Sequence, residues 1–244
     1  MMKSMSRLLG IFTVMTGFLF VSEAKAMNDV KSLDPQQQSI ITIAAFTASG
    51  DMNRLTPALN AGLDAGLTVN EVKEILVQMY AYAGFPRSLN AMFALMGTLE
   101  DRKAKGIVDE EGPGASPVPD DLDRDAYGAR VRADLSGLDD IPPPAAWQEF
   151  SPIIDTFLKE HLFADIFVRD VLDHQERELA TIAALANMPG TAGQLRYHLG
   201  AAMNTGITEA QMRDFTLVLG AEVGESVAND ASNLLDEVID ARSQ

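Results

Sequence analysis

The 244-residue chain has no cysteine. Disulfides, thiolate nucleophiles and cysteine metal sites are therefore outside its chemistry. Aromatic residues make up only 7%, with one tryptophan, and there are three histidines. Positive charge is scarce as well: 19 Lys and Arg stand against 35 Asp and Glu, a formal net charge of −16. Such a surface repels phosphate backbones and anionic headgroups, which argues against nucleic acid and anionic membranes as partners. No stretch alternates apolar and polar residues for the length of a strand, so the expected fold is all-α. There is no Gly-rich phosphate loop and no serine nucleophile motif. His161 and His174 have no metal-like partner at helical spacing, and the acidic stretches lack a twelve-residue calcium loop, so no metal is expected.

Long apolar runs are also rare. The one that exists, Leu8 to Val21, follows the basic Lys3 and Arg7 and precedes Ala24-Lys25-Ala26, a small-x-small cleavage signal. It is short for a membrane span and reads as a secretory signal peptide, residues 1–26, cut after Ala26. The competing reading is an uncleaved anchor. Cleavage would leave a chain of net charge −18 with no membrane segment, in a periplasmic or secreted location.

What is present is a duplication. "LDPQQQSIITIAA" at 33–45 matches "LDHQERELATIAA" at 172–184, an offset of 139. "NAGLDAGLTVNEVKEIL" at 60–76 matches "GAAMNTGITEAQMRDFT" at 200–216, an offset of 140. The expected organisation is a first repeat at 27–105, an acidic Pro/Gly-rich linker at 106–144 and a second repeat at 145–244. The linker composition reads as solvated spacer, with a short helix allowed at "DAYGARVRADL". Ile40, Ile43, Ala44 and Thr47 recur at helical spacing, as do Leu179, Ile182, Ala183 and Ala186. Gly66 and Gly206 suit left-handed helix stops. Thr68 with Glu71, and Thr208 with Gln211, then form capping boxes that open the next helices. Short, strongly apolar helices of this kind leave surface for one repeat to cover on the other, and further self-association is expected.

Residues 161–212, "HLFADIFVRDVLDHQERELATIAALANMPGTAGQLRYHLGAAMNTGITEAQM", resemble the carboxymuconolactone decarboxylase family within the alkyl hydroperoxidase D-like superfamily. So does "LTVNEVKEILVQMYAYAGFPRSLNAM" at 67–92. The resemblance implies an all-helical unit that assembles as trimers or hexamers, so that a fused double unit would form a pseudo-dimer and then a trimer. It implies one of two chemistries. One is decarboxylation of a carboxylated lactone without metal or organic cofactor; the other is peroxide reduction by a Cys-x-x-Cys pair. The second has no thiols to run on here.

The repeats keep different halves of the family pattern. The second has Glu178 and His198 where the first has Ser39 and Ala58; the first keeps "YAGFPRSLNA" where the second reads "EVGESVANDA". This suggests one composite site, with the Glu and His facing the first repeat's Phe-Pro-Arg segment. Met188-Pro189-Gly190 breaks the helices between Glu178 and His198, and an antiparallel hairpin would place them at similar depth. His198 would move a proton while Glu178 fixes its tautomer. The plainer reading is a helix-face histidine with one hydrogen bond, and Glu178 paired with Arg177 or Arg196. Arg87 reads first as a capping or ion-pairing residue and second as a bidentate grip on a substrate carboxylate. Tyr82 and Phe85 read as core before substrate platform, and Tyr197 as pocket lining or packing. The implied partner is a small-molecule carboxylate or lactone; a non-catalytic binding or assembly role that retains the fold is the alternative.

Overall fold

Each repeat opens with the same device. Asp34 Oδ1 accepts the Gln37 N–H at 2.9 Å while Gln37 Oε1 accepts the Asp34 N–H at 3.1 Å. Asp173 and Glu176 repeat the exchange at 2.9 and 2.8 Å. These reciprocal caps satisfy backbone N–H groups that a helix start leaves free. They open α1 (Pro35–Ser49) and α8 (His174–Ala186). Thr68 with Glu71 and Thr208 with Gln211 do the same for α3 (Val69–Ala83) and α10 (Glu209–Val218), as their spacing predicts. Between them lie α2 (Met52–Asp64) and α9 (Ala192–Asn204). The repeats close with α4 (Phe85–Ala104) and α11 (Glu225–Arg242). A π-helical turn, Leu219–Val223, extends α10.

This computed structural model describes residues 32–243, and the predicted signal peptide with its cut after Ala26 lies outside them. No strand occurs among the described residues, and none of their helices is long and apolar enough to cross a membrane. The fold is all-α, built from two tandem helical units. Helices α1 and α8 pack on each other at the centre of one shared core. Ile40, Ile41, Ile43, Ala44 and Ala45 in α1 are fully buried, as are Leu179, Ala180, Ile182, Ala183 and Ala184 in α8. The alanines let the two backbones approach closely. The exchange is reciprocal: α3 packs on α8, and α10 with its π turn packs on α1. Each repeat therefore completes the other.

The linker is not simply a solvated spacer. Its acidic run lies along the start of α3, where the Glu110 and Glu111 carbonyls accept the Val69 and Asn70 N–H groups at 2.9 and 3.0 Å. Asp109 pairs with Arg102 at 2.8 Å and Glu111 with Lys73 at 2.7 Å. Then come α5 (Arg124–Leu135), α6 (Ala146–Phe150) and α7 (Pro152–Thr156), the last running into a π-helix, Phe157–Ile166. Val131 and Leu135 pack with Leu162, Phe163, Ile166 and Phe167 into a second, smaller core that reaches Ala201 of α9 and Tyr82 of α3. Gly128 permits this crossing, because a methyl group there would collide with the Lys159 carbonyl. The short helix allowed at "DAYGARVRADL" is α5, and its apolar side chains serve this small local core, not the main one.

The outer faces of α4 and α11 differ. Phe85, Leu89, Phe93 and Met96 lie 62, 50, 65 and 58% exposed along α4. The equivalent positions of α11 are Glu225, Asn229, Asn233 and Asp236. The buried faces match, Ala91 and Leu95 corresponding to Ala231 and Leu235.

Candidate active site

Helix α8 carries Glu178 and α9 carries His198, joined through the turn in which Gly190 takes φ 84°. The two side chains meet: His198 Nδ1 lies 2.8 Å from Glu178 Oε2. Glu178 is fully buried and His198 is 6% exposed. A carboxylate only accepts, so Nδ1 carries the proton and Nε2, which has no hydrogen bond among the described residues, is left for chemistry. Tyr82 of the first repeat and Tyr197 both set a ring edge-on to the His198 imidazole, with centroids 5.7 and 5.0 Å away. The Tyr197 hydroxyl bonds Ser136 Oγ at 2.9 Å, in the segment after α5.

Three buried polar atoms in and beside the pair form no hydrogen bond of good geometry, Glu178 Oε1, Arg177 Nε and the Tyr82 hydroxyl, the last with Thr181 as its polar neighbour. A buried acceptor or donor left without a partner is costly. Burial, and next the Glu178 charge, hold the Tyr82 phenol well above the usual tyrosine range. Burial raises Tyr197 likewise.

Below the pair lies an ion network that sequence reading missed. Arg177, fully buried, does not serve Glu178. Its guanidinium donates across the repeats to Glu74 Oε1 at 2.9 Å and Gln78 Oε1 at 2.8 Å, and to the Arg169 carbonyl at 2.6 Å. Gln78 returns two bonds, to the Arg177 carbonyl and Thr181 Oγ1, both 2.8 Å. Arg169 grips Glu74 with two 3.0 Å bonds. Burial lowers the Arg177 pKa and the Glu74 hydrogen bond opposes that shift. A signal was available: Glu74, Gln78 and Tyr82 recur at four-residue spacing, a single helix face.

The first repeat's contribution to the pair is thus Tyr82, not the Phe-Pro-Arg segment. Phe85 is exposed and stacks on Tyr80 at 4.4 Å. Arg87 is exposed beside Gly50 and forms no ion pair or hydrogen bond among the described residues. His161 bonds Asp165 at 2.9 Å, and no group of three His, Asp or Glu among the described residues is placed to hold a metal.

Comparison with known proteins agrees with an all-helical chain built from two tandem units. The chain belongs to the carboxymuconolactone decarboxylase family, which it matches over 19–96 and again over 153–237, once in each repeat. It is similar to the 4-carboxymuconolactone decarboxylase of Acinetobacter baylyi (strain ATCC 33305 / BD413 / ADP1), 28% identical over 90 residues. That stretch is 37% of this chain, and it spans 66% of the relative's length, just under two thirds.

Proposed function

We propose that the protein is an exported, cofactor-free lyase or isomerase of decarboxylase type, acting on a small organic acid or lactone through His198 and Glu178. The observation that carries this is the buried 2.8 Å contact, with a Glu178 oxygen and the Tyr82 hydroxyl beside it that form no hydrogen bond of good geometry. In such a reaction the bond to the carboxylate carbon breaks, CO2 leaves, and the electron pair moves into the adjacent carbonyl as an enolate. His198, protonated from solvent at Nε2 to an imidazolium that Glu178 stabilises, then gives the Nε2 proton to the carbon and returns to the neutral Nδ1–H form. We assign the donation to the enolate oxygen to the Tyr82 hydroxyl, which burial keeps protonated. Peroxide reduction by the chain's own thiols is ruled out by the absence of cysteine.

The second core of α5 and the π-helix reaches Ala201 and Tyr82 and is the proposed cover over the pair, with His198 6% exposed. The apolar stripe on α4 is the proposed contact with a second copy, three fused units making a trimer, because the matching face of α11 is polar. Export rests on the N-terminal sequence, and the mass of the protein recovered from the producing cell tests it.

The deciding experiment is an ultraviolet assay with carboxymuconolactone and related lactone acids, with His198→Ala alongside. Turnover lost in the variant supports the reading; equal turnover in both proteins removes His198 from the chemistry. A non-catalytic binding role is the second reading, favoured by the occlusion of His198.

A further inference from the structure

The duplication builds two equivalent grooves, and the described residues fill only one. In the second repeat Ala201 and Tyr82, on either side of His198, pack against the second core of Val131, Leu135 and Phe163. In the first repeat the equivalents of Ala201 and Tyr82 are Ala61 and Glu222. They border a groove of about 680 Å³ between α1, α2 and α10 that stays open among the described residues. Ser39 and Ala58, which stand where the other repeat has Glu178 and His198, line it together with Phe46 and Leu217. Replacing a glutamate and a histidine by smaller side chains enlarges this space, and the volume falls within the roughly 300–1,000 Å³ range of small-molecule sites.

Its electrostatics are one-sided. The one cation in the lining, Arg54, is already engaged: Nε bonds Asp51 at 2.7 Å, Nη1 bonds the Val223 carbonyl at 2.9 Å, and the guanidinium lies 4.7 Å over the Phe46 ring. Two carboxylates are left over. Asp214 accepts only the Leu33 N–H, at 2.8 Å, and Glu222 has no partner among the described residues. No histidine lines the groove, so nothing there repeats the acid–base chemistry of the other half.

We propose that this groove is a second, non-catalytic ligand site that takes a small amphiphile, its ring-sized apolar body between Phe46, Ala58 and Leu217 and its cationic head at Glu222, with Asp214 adding to the negative field of the groove. The site stands independently of the lyase reading, because it shares no residue with the Glu178–His198 pair.

The test titrates the full protein with 1-naphthylmethylammonium and with 1-naphthylacetate, followed by naphthyl fluorescence. The two probes share a body and differ in head charge. Saturable one-site binding is expected, with the ammonium preferred by about fivefold, the size of one or two partly exposed charge contacts. Glu222→Gln narrows that preference, and Ala61→Phe, at an exposed position, removes binding while circular dichroism stays unchanged. His198→Gln, which keeps a hydrogen bond to Glu178, leaves the ammonium titration unaffected, so a failed lyase assay and a failed titration are separate results. Equal or tighter binding of the acetate, binding that survives Ala61→Phe, or no binding of either probe would overturn the proposal.

Discussion

His198 and Glu178 are twenty residues apart in the chain and 2.8 Å apart in the fold, on facing helices, with the carboxylate fully buried. Removing one partner leaves the other charge unsatisfied in the core. His198→Ala is expected to lower turnover by about 10²- to 10⁴-fold, the usual contribution of a positioned acid–base group. It also destabilises the fold by about 3–5 kcal/mol, because Glu178 is stranded. His198→Gln keeps a hydrogen bond to the carboxylate and loses only the chemistry. Steady-state kinetics and urea unfolding of the two variants separate the effects.

Glu74 and Arg177 couple the repeats through a bond buried on both sides. Glu74→Ala is expected to cost about 3–5 kcal/mol by leaving the Arg177 cation uncompensated. Glu74→Leu combined with Arg177→Leu should cost less than the sum of the single changes. A double-mutant cycle by chemical denaturation measures this; strict additivity would show that the bond carries no coupling.

Tyr82 buries a hydroxyl that has Thr181 as its polar neighbour but forms no hydrogen bond of good geometry. Tyr82→Phe should therefore leave stability at neutral pH unchanged or raise it by about 1 kcal/mol, while activity falls. The pH sign follows from burial, which raises the folded-state pKa of this phenol. The unfolded chain then loses the proton first, so stability is complete below about pH 10, the unfolded tyrosine value, and declines above it. Alkaline unfolding of the wild type against Tyr82→Phe, with tyrosinate absorbance, reads this directly.

The cover over the Glu–His pair has its own reporter. Arg132 bonds Asp155 at 2.6 Å and stacks 5.6 Å from the ring of Trp147, the one tryptophan in the chain. Burial would raise the Asp155 carboxyl, but the hydrogen bonds from Arg132 and Gln148 outweigh it and hold it below the usual range. This depressed group stabilises the cover above the unfolded carboxylate value of about 3.9 and stops doing so as pH falls below it. Trp147 emission is expected to stay constant from pH 7 to about pH 4 and to shift at lower pH. Gly128→Ala should produce the same shift at pH 7, since a methyl group there meets the Lys159 carbonyl.

Phe93, 65% exposed, sits in the middle of the α4 stripe. Phe93→Asp is expected to convert an assembled species into a monomer without loss of helicity. Light scattering after size exclusion checks it; an unchanged mass would place the contact elsewhere.

Much of this was legible in the chain because it is local. The duplication, the Thr68–Glu71 and Thr208–Gln211 caps and the helical periodicity depend on residues within a turn or two of one another. The contact between Glu178 and His198 was allowed by hairpin geometry, but the facing of the helices was not. Arg177 looked like a neighbour for Glu178; its partner is instead Glu74, more than a hundred positions earlier, because α3 of one repeat packs on α8 of the other. Arg87 looked able to reach the site from its motif, yet the α4 start carries it to an exposed position beside Gly50.

The sequence by itself determined that the chain is helical, that it is a doubled unit and that no thiol chemistry is available, since periodicity, caps and composition act at short range or not through space at all. Only the tertiary structure decided that Tyr82 rather than Arg87 joins the buried pair, that α5 of the linker folds into a second core against α9, and that the Ser39–Ala58 groove stays open among the described residues. Those outcomes depend on how helix faces far apart in the chain pack, and burial then fixes which polar atoms are paired and which are left free.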